Sequence, residues 1–148
     1  MKNVALITGA STGIGKELAT IHASKGGDLI IIARNEHKLN QLKQEFEKKY
    51  NIKAVVIAKD LSDLSAPNNI YNEVKKQGIE IDYLINNAGF GALGKFYELD
   101  LERQISMINL NVTALTKEIT EVPVPAMFSL LGLGIFYITW VRFKVNVI

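Results

Sequence analysis

The segment that most constrains the fold is residues 4–15, V-A-L-I-T-G-A-S-T-G-I-G. Its first four residues are a continuous apolar run, which is typical of a strand buried on both faces. The glycine-rich stretch that follows predicts a tight turn, and the apolar spacing after it predicts a helix. Glycine lets the backbone approach a pyrophosphate closely, and the N–H groups that begin a helix face the anion. We therefore predict a phosphate-binding turn between a strand and a helix.

Two later apolar runs, at residues 29–33 and 54–58, predict further buried strands, and residues 81–85, which are apolar apart from Asp82 and Tyr83, predict a fourth strand. Amphipathic stretches separate these runs, with apolar residues on one side and lysines and glutamates on the other, as at residues 36–50. Such an alternation of buried strands and amphipathic helices is typical of a doubly wound parallel α/β sheet.

Two further patterns accompany the glycine turn. N-N-A-G, at residues 86–89, follows the fourth predicted strand, where small residues let a cofactor pass close to the backbone. Asn111 lies in the middle of a long predicted helix, residues 99–119. Asparagine is unfavourable there because its side chain competes for backbone hydrogen bonds. A functional or packing reason is therefore expected for Asn111.

These three patterns, in this order, resemble the short-chain dehydrogenase/reductase family over residues 1–120. The resemblance implies a Rossmann-like sheet of strand order 3-2-1-4, and hydride transfer between a nicotinamide dinucleotide and a small carbonyl or alcohol. It implies that Asn111 is a catalytic residue, holding a water in the proton relay; Asn109 matches less well. The implied cofactor-binding residues lie in the glycine turn, at the ends of strands two and three, and in N-N-A-G: Gly9, Ser11, Thr12, Gly13, Ile14, Gly15, Arg34, Asn35, Asp60, Leu61, Asn87, Ala88 and Gly89.

Arg34 and Asn35 stand at the carboxyl end of the second predicted strand. In a doubly wound sheet this point lies beside the adenosine ribose. A carboxylate here would favour NAD, whereas a guanidinium can pair with a 2′-phosphate. We therefore predict a preference for NADP, with NAD as the alternative cofactor. The competing interpretation of Arg34 is a surface arginine at a strand end.

Asp60 and Leu61 follow the third predicted strand. By resemblance, this pair contacts the adenine, and the Asp60 carboxylate accepts a hydrogen bond from the adenine amino group. The competing interpretation is that Asp60 caps the next helix, a role that Ser62 or Asp63 would fill equally well.

The resemblance also implies a catalytic serine and a Tyr-x-x-x-Lys motif after Glu121, and this arrangement is not found there: Tyr137 is followed four residues later by Val141. Tyr71 and Lys75 have the motif's spacing, but they precede the fourth strand, so we interpret them as a solvated helix face. The sequence thus predicts an oxidoreductase domain that is incomplete at its catalytic end. The alternatives are a non-catalytic dinucleotide-binding module and an interrupted gene product.

Residues 121–148 form a predicted second segment with a different composition. Residues 122–141 contain no charged side chain, and this stretch is about as long as a membrane-spanning helix. Aromatic residues near its end and basic residues after it are typical of a membrane boundary. The segment resembles a bacterial carboxyl-terminal sorting signal of the PEP type, so we predict an apolar helix as a candidate membrane anchor. The alternatives are foreign sequence joined to a truncated reductase, or residues 130–139 covering the open edge of the fourth strand.

The composition argues against nucleic acid and metal ions as partners. The 148 residues carry a formal net charge of +2, without a basic run interleaved with aromatics, so nucleic acid is not a predicted partner. The sequence has no cysteine, and His22 and His37 lack a second ligand at metal spacing, so we predict no metal. No secretory signal precedes the first strand, which predicts a cytoplasmic protein, with membrane attachment through residues 122–141 as the alternative.

Overall fold

The computed structural model of the chain describes residues 1–117, 126–131 and 135–139. Strands and helices alternate along the first of these stretches, as the apolar and amphipathic runs predict. The elements in chain order are strand β1 (Ala5–Thr8), helix α1 (Gly13–Ser24), strand β2 (Leu29–Ala33), helix α2 (Glu36–Tyr50), strand β3 (Ala54–Ala58), helix α3 (Ala66–Lys76), strand β4 (Tyr83–Asn86), a 3-10 turn (Phe96–Glu98), helix α4 (Leu101–Ile108), a π-helical segment (Asn109–Ala114), strand β5 (Ala126–Leu131) and strand β6 (Ile135–Thr139).

The described strands form one six-stranded sheet of order β3-β2-β1-β4-β5-β6. The pairs from β3 to β5 are parallel, and β6 pairs antiparallel with β5. The predicted Rossmann-like order 3-2-1-4 is therefore confirmed. The glycine turn follows β1, next to the point where the chain crosses from the β2 side of the sheet to the β4 side. In open α/β sheets, ligands bind in the crevice at this switch point.

The core lies on both faces of the sheet because the central strands carry apolar residues that point alternately to each face. On one face, Ile31 packs in a buried cluster with Phe46 of α2 and residues of α1. On the other face, Ile30 packs with Ile70 of α3 and with Ala114 of the π-helical segment. The strands and their flanking helices therefore hold the carboxyl ends of β1, β2, β3 and β4 in fixed positions.

Two aspartates lie near the amino ends of the strands and connect them by hydrogen bonds. The buried Asp28 carboxylate accepts hydrogen bonds from the backbone N–H groups of Lys2 and Lys53, each at 2.7 Å. Asp82 accepts a 2.6 Å hydrogen bond from the backbone N–H of Val4. These hydrogen bonds connect the amino ends of four neighbouring strands, at the end of the sheet opposite the glycine turn.

The predicted apolar carboxyl-terminal helix is wrong for the described part of residues 122–141. Ala126–Leu131 and Ile135–Thr139 are strands, and β5 pairs in parallel with β4. None of the helices in the described ranges has the length and apolar character needed to span a membrane. The open edge of β4 is instead covered by β5, slightly earlier in the chain than the predicted residues 130–139. The predicted domain boundary after residue 120 lies outside the described residues.

Candidate nucleotide-binding site

A cavity of about 400 Å³ lies at the carboxyl ends of β1, β2, β3 and β4. Every cofactor-binding residue predicted from the sequence lines this cavity, except Gly13 and Gly15. The structure therefore brings together the turn, two strand ends and N-N-A-G, which are separate in the sequence. The full lining is Gly9, Ser11, Thr12, Ile14, Ala33, Arg34, Asn35, Lys59, Asp60, Leu61, Asn87, Ala88, Gly89, Phe90 and Leu110.

The glycine turn packs too tightly against N-N-A-G for larger residues. Gly9 has a φ of +67°, and a Cβ there would lie 2.9 Å from Nδ2 of Asn87 and 3.0 Å from Cα of Ala88. A Cβ on Gly15 would overlap the Gly9 carbonyl and the Asn87 side chain. Gly15 is therefore a buried contact between α1 and the turn, whereas Gly9 lines the cavity itself.

Helix α1 begins beside the cavity with its first N–H groups available. Its N-cap residue, Thr12, makes no side-chain capping hydrogen bond, and the first turn of the helix contains no acidic residue. The first N–H groups of a helix have no partner within the helix, and the helix dipole places partial positive charge there. This end of the cavity is therefore suited to a phosphate group.

Thr8, the last residue of β1, locks the turn to N-N-A-G. Its buried hydroxyl oxygen accepts hydrogen bonds from the backbone N–H groups of Asn87 and Ala88, both at 3.0 Å. The Asn87 side chain donates in return to the Thr8 carbonyl at 3.0 Å. Thr8 was not predicted as a site residue, although a threonine that ends an otherwise apolar strand is the available signal.

The two asparagines of N-N-A-G have different surroundings. The Asn87 side chain is hydrogen-bonded to the Thr8 carbonyl of β1. Asn86 is 2% exposed, and neither its carboxamide oxygen nor its nitrogen has a hydrogen-bond partner among the described residues. Burying a polar group without a partner is unfavourable. Asn86 is therefore the asparagine of this motif whose side chain has no hydrogen bond in the described structure.

Arg34 and Asp60 face each other at the rim of the cavity. The Arg34 Nη1 atom lies 3.9 Å from the Asp60 Oδ2 atom, with side chains that are 74% and 50% exposed. The other Asp60 oxygen accepts hydrogen bonds from the Ser62 backbone N–H at 3.0 Å and hydroxyl at 2.7 Å. Asp60 does not cap α3, whose N-cap is Ser65. An exposed pair at this distance is weak, so both groups remain open to a ligand.

Asn35 and Leu61 line the cavity but also have structural roles. The Asn35 side chain caps α2 by accepting a 2.9 Å hydrogen bond from the Lys38 backbone N–H. Leu61 is 5% exposed and belongs to the core cluster beneath α3. Both residues therefore shape the wall of the cavity through their packing and capping.

Asn111 attaches the loop after β4 to the long helix. Its side-chain oxygen accepts a 3.2 Å hydrogen bond from the Phe90 backbone N–H, and its nitrogen donates to the Phe90 carbonyl at 2.9 Å. The predicted continuous helix over residues 99–119 is interrupted here, because Asn109–Ala114 has π-helical hydrogen bonding. Such interruptions are frequent at functional sites. The water that the resemblance assigns to Asn111 stays a prediction.

Tyr71 and Lys75, which have Tyr-x-x-x-Lys spacing, both lie in α3. Lys75 Nζ is 5.6 Å from the centre of the Tyr71 ring, so the two side chains contact each other. Neither residue lines the cavity, and Tyr71 packs against the core cluster. Lys75 is exposed, as expected for the predicted solvated helix face, whereas Tyr71 is half-buried.

The parallel sheet, the glycine turn and the crevice at the switch point define an α/β protein of the Rossmann-like class. A family-wide sequence profile described as short chain dehydrogenase matches residues 3–129. The chain belongs to the short-chain dehydrogenase family.

Curated relatives have names that describe reductases and dehydrogenases. Very-long-chain 3-oxoacyl-CoA reductase of Candida glabrata is 42% identical over 125 residues, which cover 82% of this chain and 35% of the relative. NADP-dependent 3-hydroxy acid dehydrogenase of Schizosaccharomyces pombe is 35% identical over 130 residues, which cover 84% of this chain and 48% of the relative. The chain therefore spans less than half the length of these relatives.

Solved structures show the same arrangement of the sheet. L-sorbose reductase from Gluconobacter frateurii, in complex with NADPH and L-sorbose, aligns with a TM-score of 0.76 at 26% identity, over 81% of this chain and 46% of that one. A short-chain dehydrogenase from Sphingobium yanoikuyae in complex with NADPH aligns with a TM-score of 0.72 at 34% identity, over 80% and 46%. Both neighbours are therefore NADPH complexes of the same fold.

Proposed function

We propose that this chain is the NADP-binding part of a short-chain dehydrogenase-type oxidoreductase. The observation that carries the proposal is the cavity in which the glycine turn, the uncapped start of α1 and Arg34 line one space. The NADPH complexes of the structural neighbours support the same cofactor.

Each part of the cavity has a chemical counterpart in NADP. The turn at Gly9 and the positive end of α1 match the pyrophosphate, because backbone N–H groups can approach it without a side chain intervening. The Arg34 guanidinium matches the 2′-phosphate, and the Asp60 carboxylate matches the adenine amino group. Asn87, Ala88 and Gly89 bound the path of the nicotinamide ribose. When bound, the dinucleotide supplies or accepts the hydride.

The proposed contribution of Asn111 is to position the cavity wall. Its two hydrogen bonds to Phe90 fix the loop that continues from Gly89. A Cβ on Gly89 would lie 3.1 Å from the Asn111 side-chain oxygen, so the loop and the helix already touch. Asn111 therefore orients the segment beside the reacting end of the dinucleotide.

For the substrate of a complete enzyme, we propose a 3-oxoacyl or 3-hydroxyacyl compound. Curated relatives named for 3-oxoacyl-CoA and for 3-hydroxy acids support this class. The reaction would transfer a hydride between C4 of the nicotinamide and the carbon that bears the 3-oxygen, while a proton joins or leaves that oxygen. The cytoplasmic location predicted from the sequence stays a prediction.

A second candidate function is dinucleotide binding without turnover. It is favoured by the sequence after Asn111, where Tyr137 is followed at the motif spacing by Val141 and not by lysine. The two candidates differ in one measurement. Oxidation of NADPH by the purified 148-residue chain with a 3-oxoacyl thioester would favour the enzyme, whereas saturable binding without oxidation would favour the binding module.

The test of the proposed function is a fluorescence titration of the full chain with NADPH and with NADH. We expect the unaltered chain to bind NADPH more tightly, and Arg34→Asp to weaken NADPH binding by about tenfold or more while sparing NADH, since one charge-assisted contact is replaced by repulsion. Arg103→Asp is the matched control, because Arg103 lies in α4 and does not line the cavity. An unchanged preference in Arg34→Asp would refute the assignment of Arg34.

A further inference from the structure

Lys59 lines the cavity beside Arg34, although neither the glycine turn nor the N-N-A-G pattern involves it. The register of the sheet explains this position. Ala33 of β2 pairs with Ala58 of β3, and the next residue on each strand is Arg34 or Lys59. The Lys59 backbone N–H donates to the Ala33 carbonyl at 3.1 Å, which extends the ladder one step further. Arg34 and Lys59 therefore stand side by side at the carboxyl ends of β2 and β3.

The charges around these two residues are not equivalent. Arg34 has the Asp60 carboxylate opposite it at 3.9 Å, and no ion pair within 4.0 Å among the described residues includes Lys59. Hydrogen bonds from Ser65 lower the pKa of Asp63 most strongly, and the charges of Lys59 and Lys117 also lower it, so Lys59 lies close enough to Asp63 to interact with it. One oxygen of Asp63 accepts both Ser65 hydrogen bonds, at 2.8 and 2.9 Å.

The charged residues that line this rim of the cavity are Arg34, Lys59 and Asp60, whereas Asp63 does not line it. Two cations and one carboxylate give the lining a net charge of +1, which Lys59 supplies once Arg34 and Asp60 offset each other. A phosphomonoester carries a charge of about −1.5 to −2 at pH 7. A single guanidinium that already faces a carboxylate matches such a group poorly. A second cation on a flexible four-carbon stem supplies the missing charge without requiring a fixed geometry.

We propose that Lys59 is a second ligand of the 2′-phosphate and a specificity-determining residue for NADP over NAD, acting beside Arg34. The inference rests on the proposed function, because it assigns a further residue to the same nucleotide site. Asp60 then has a competing effect, since its carboxylate attracts Arg34 when no phosphate is present.

The test compares 2′,5′-ADP with 5′-ADP, two probes that differ only in the 2′-phosphate. Each competes with NADPH for the full chain in a fluorescence titration. In Lys59→Met, the apolar stem is kept and the charge is lost, and we expect 2′,5′-ADP to bind about tenfold more weakly, with 5′-ADP changed less than about twofold. Lys59→Arg should restore most of the affinity. Lys53→Met is the matched control. It removes the same charge at the amino end of β3, away from this cavity.

The outcomes separate the two claims. If the unaltered chain binds 2′,5′-ADP no more tightly than 5′-ADP, the NADP preference itself is refuted, and the role of Lys59 with it. If the unaltered chain prefers 2′,5′-ADP and Lys59→Met keeps that preference, only the inference about Lys59 is overturned. An equal loss in Lys53→Met would assign the effect to overall charge and would also overturn it. Thermal unfolding of each variant shows whether its fold is retained.

Discussion

The central strands bury their apolar residues completely, whereas α4 and the π-helical segment leave an apolar stripe exposed. In the centre of the sheet, Ile30, Ile31 and Ile32 are all 0% exposed, because α1, α2 and α3 cover both faces. Along α4 and the π-helical segment, an apolar stripe is between 41% and 66% exposed. The stripe consists of Leu101, Ile105, Ile108 and Val112. The central strands and α1, α2 and α3 thus supply most of the core, to which the π-helical segment adds Ala114. Helix α4 contributes little apolar burial in the described structure.

The largest effect should come from testing this difference directly. Ile31→Ala removes buried methyl groups from the centre of the sheet, and we expect the free energy of unfolding to fall by about 2–5 kcal/mol. Ile108, which is 55% exposed, is the matched control, and Ile108→Ala should cost less than about 1 kcal/mol. Urea unfolding followed by circular dichroism measures both. Equal losses in the two variants would show that α4 is buried in solution.

A smaller effect should follow from loosening the junction of β1 and β4. Thr8→Val keeps the shape of the side chain but removes the acceptor of two partly buried N–H groups, so we expect a loss of about 1–3 kcal/mol and weaker NADPH binding. Thr8→Ser keeps the hydroxyl and should lose less than about 1 kcal/mol. If valine and serine cost the same, the methyl group of Thr8 is what matters, and not its two hydrogen bonds.

The smallest predicted effect has the opposite sign. Asn86→Leu replaces a buried carboxamide that has no partner among the described residues, and we expect unfolding free energy to rise by about 1 kcal/mol. Its neighbour gives the control: Asn87→Leu removes the bond to the Thr8 carbonyl and should destabilise the chain. Thermal denaturation distinguishes the two. Destabilisation by both substitutions would mean that the Asn86 carboxamide has a hydrogen-bond partner in solution.

Much of the fold could be predicted because its signals are local. The apolar run at residues 54–58 coincides with β3, and the run at residues 29–33 coincides with β2. Both are continuous apolar stretches, as expected for strands that are covered on both faces. The carboxyl-terminal prediction failed for a related reason: an uncharged stretch of about membrane length does not distinguish one long helix from two short strands. Only pairing with β4 separates them.

The candidate site could be predicted in part for the same physical reason. Glycines and strand ends are visible in the sequence, so the turn at Gly9 and the cation at Arg34 could be predicted as site residues, and both line the cavity. Contacts that join distant segments could not be predicted in the same way. Thr8 and Lys59 acquire their positions through strand register, and the pairing of Arg34 with Asp60 requires the register of β2 and β3. Gly13 and Gly15 were also predicted to bind the cofactor, and neither lines the cavity. A Cβ on Gly15 would overlap the Gly9 carbonyl, so Gly15 has a packing role in the described structure.

The two hydrogen bonds between Asn111 and Phe90 affect how fast the loop after β4 exchanges its amide protons with water. The side-chain amide pairs with both polar atoms of a backbone residue, much as one peptide group pairs with another across a ladder. Amide protons in surface loops generally exchange rapidly with deuterium, because their bonds open easily. The Phe90 amide proton is held by a helix residue, so its exchange rate follows how often the loop separates from that helix. This single proton therefore reports the rigidity of the cavity wall without any substrate being turned over.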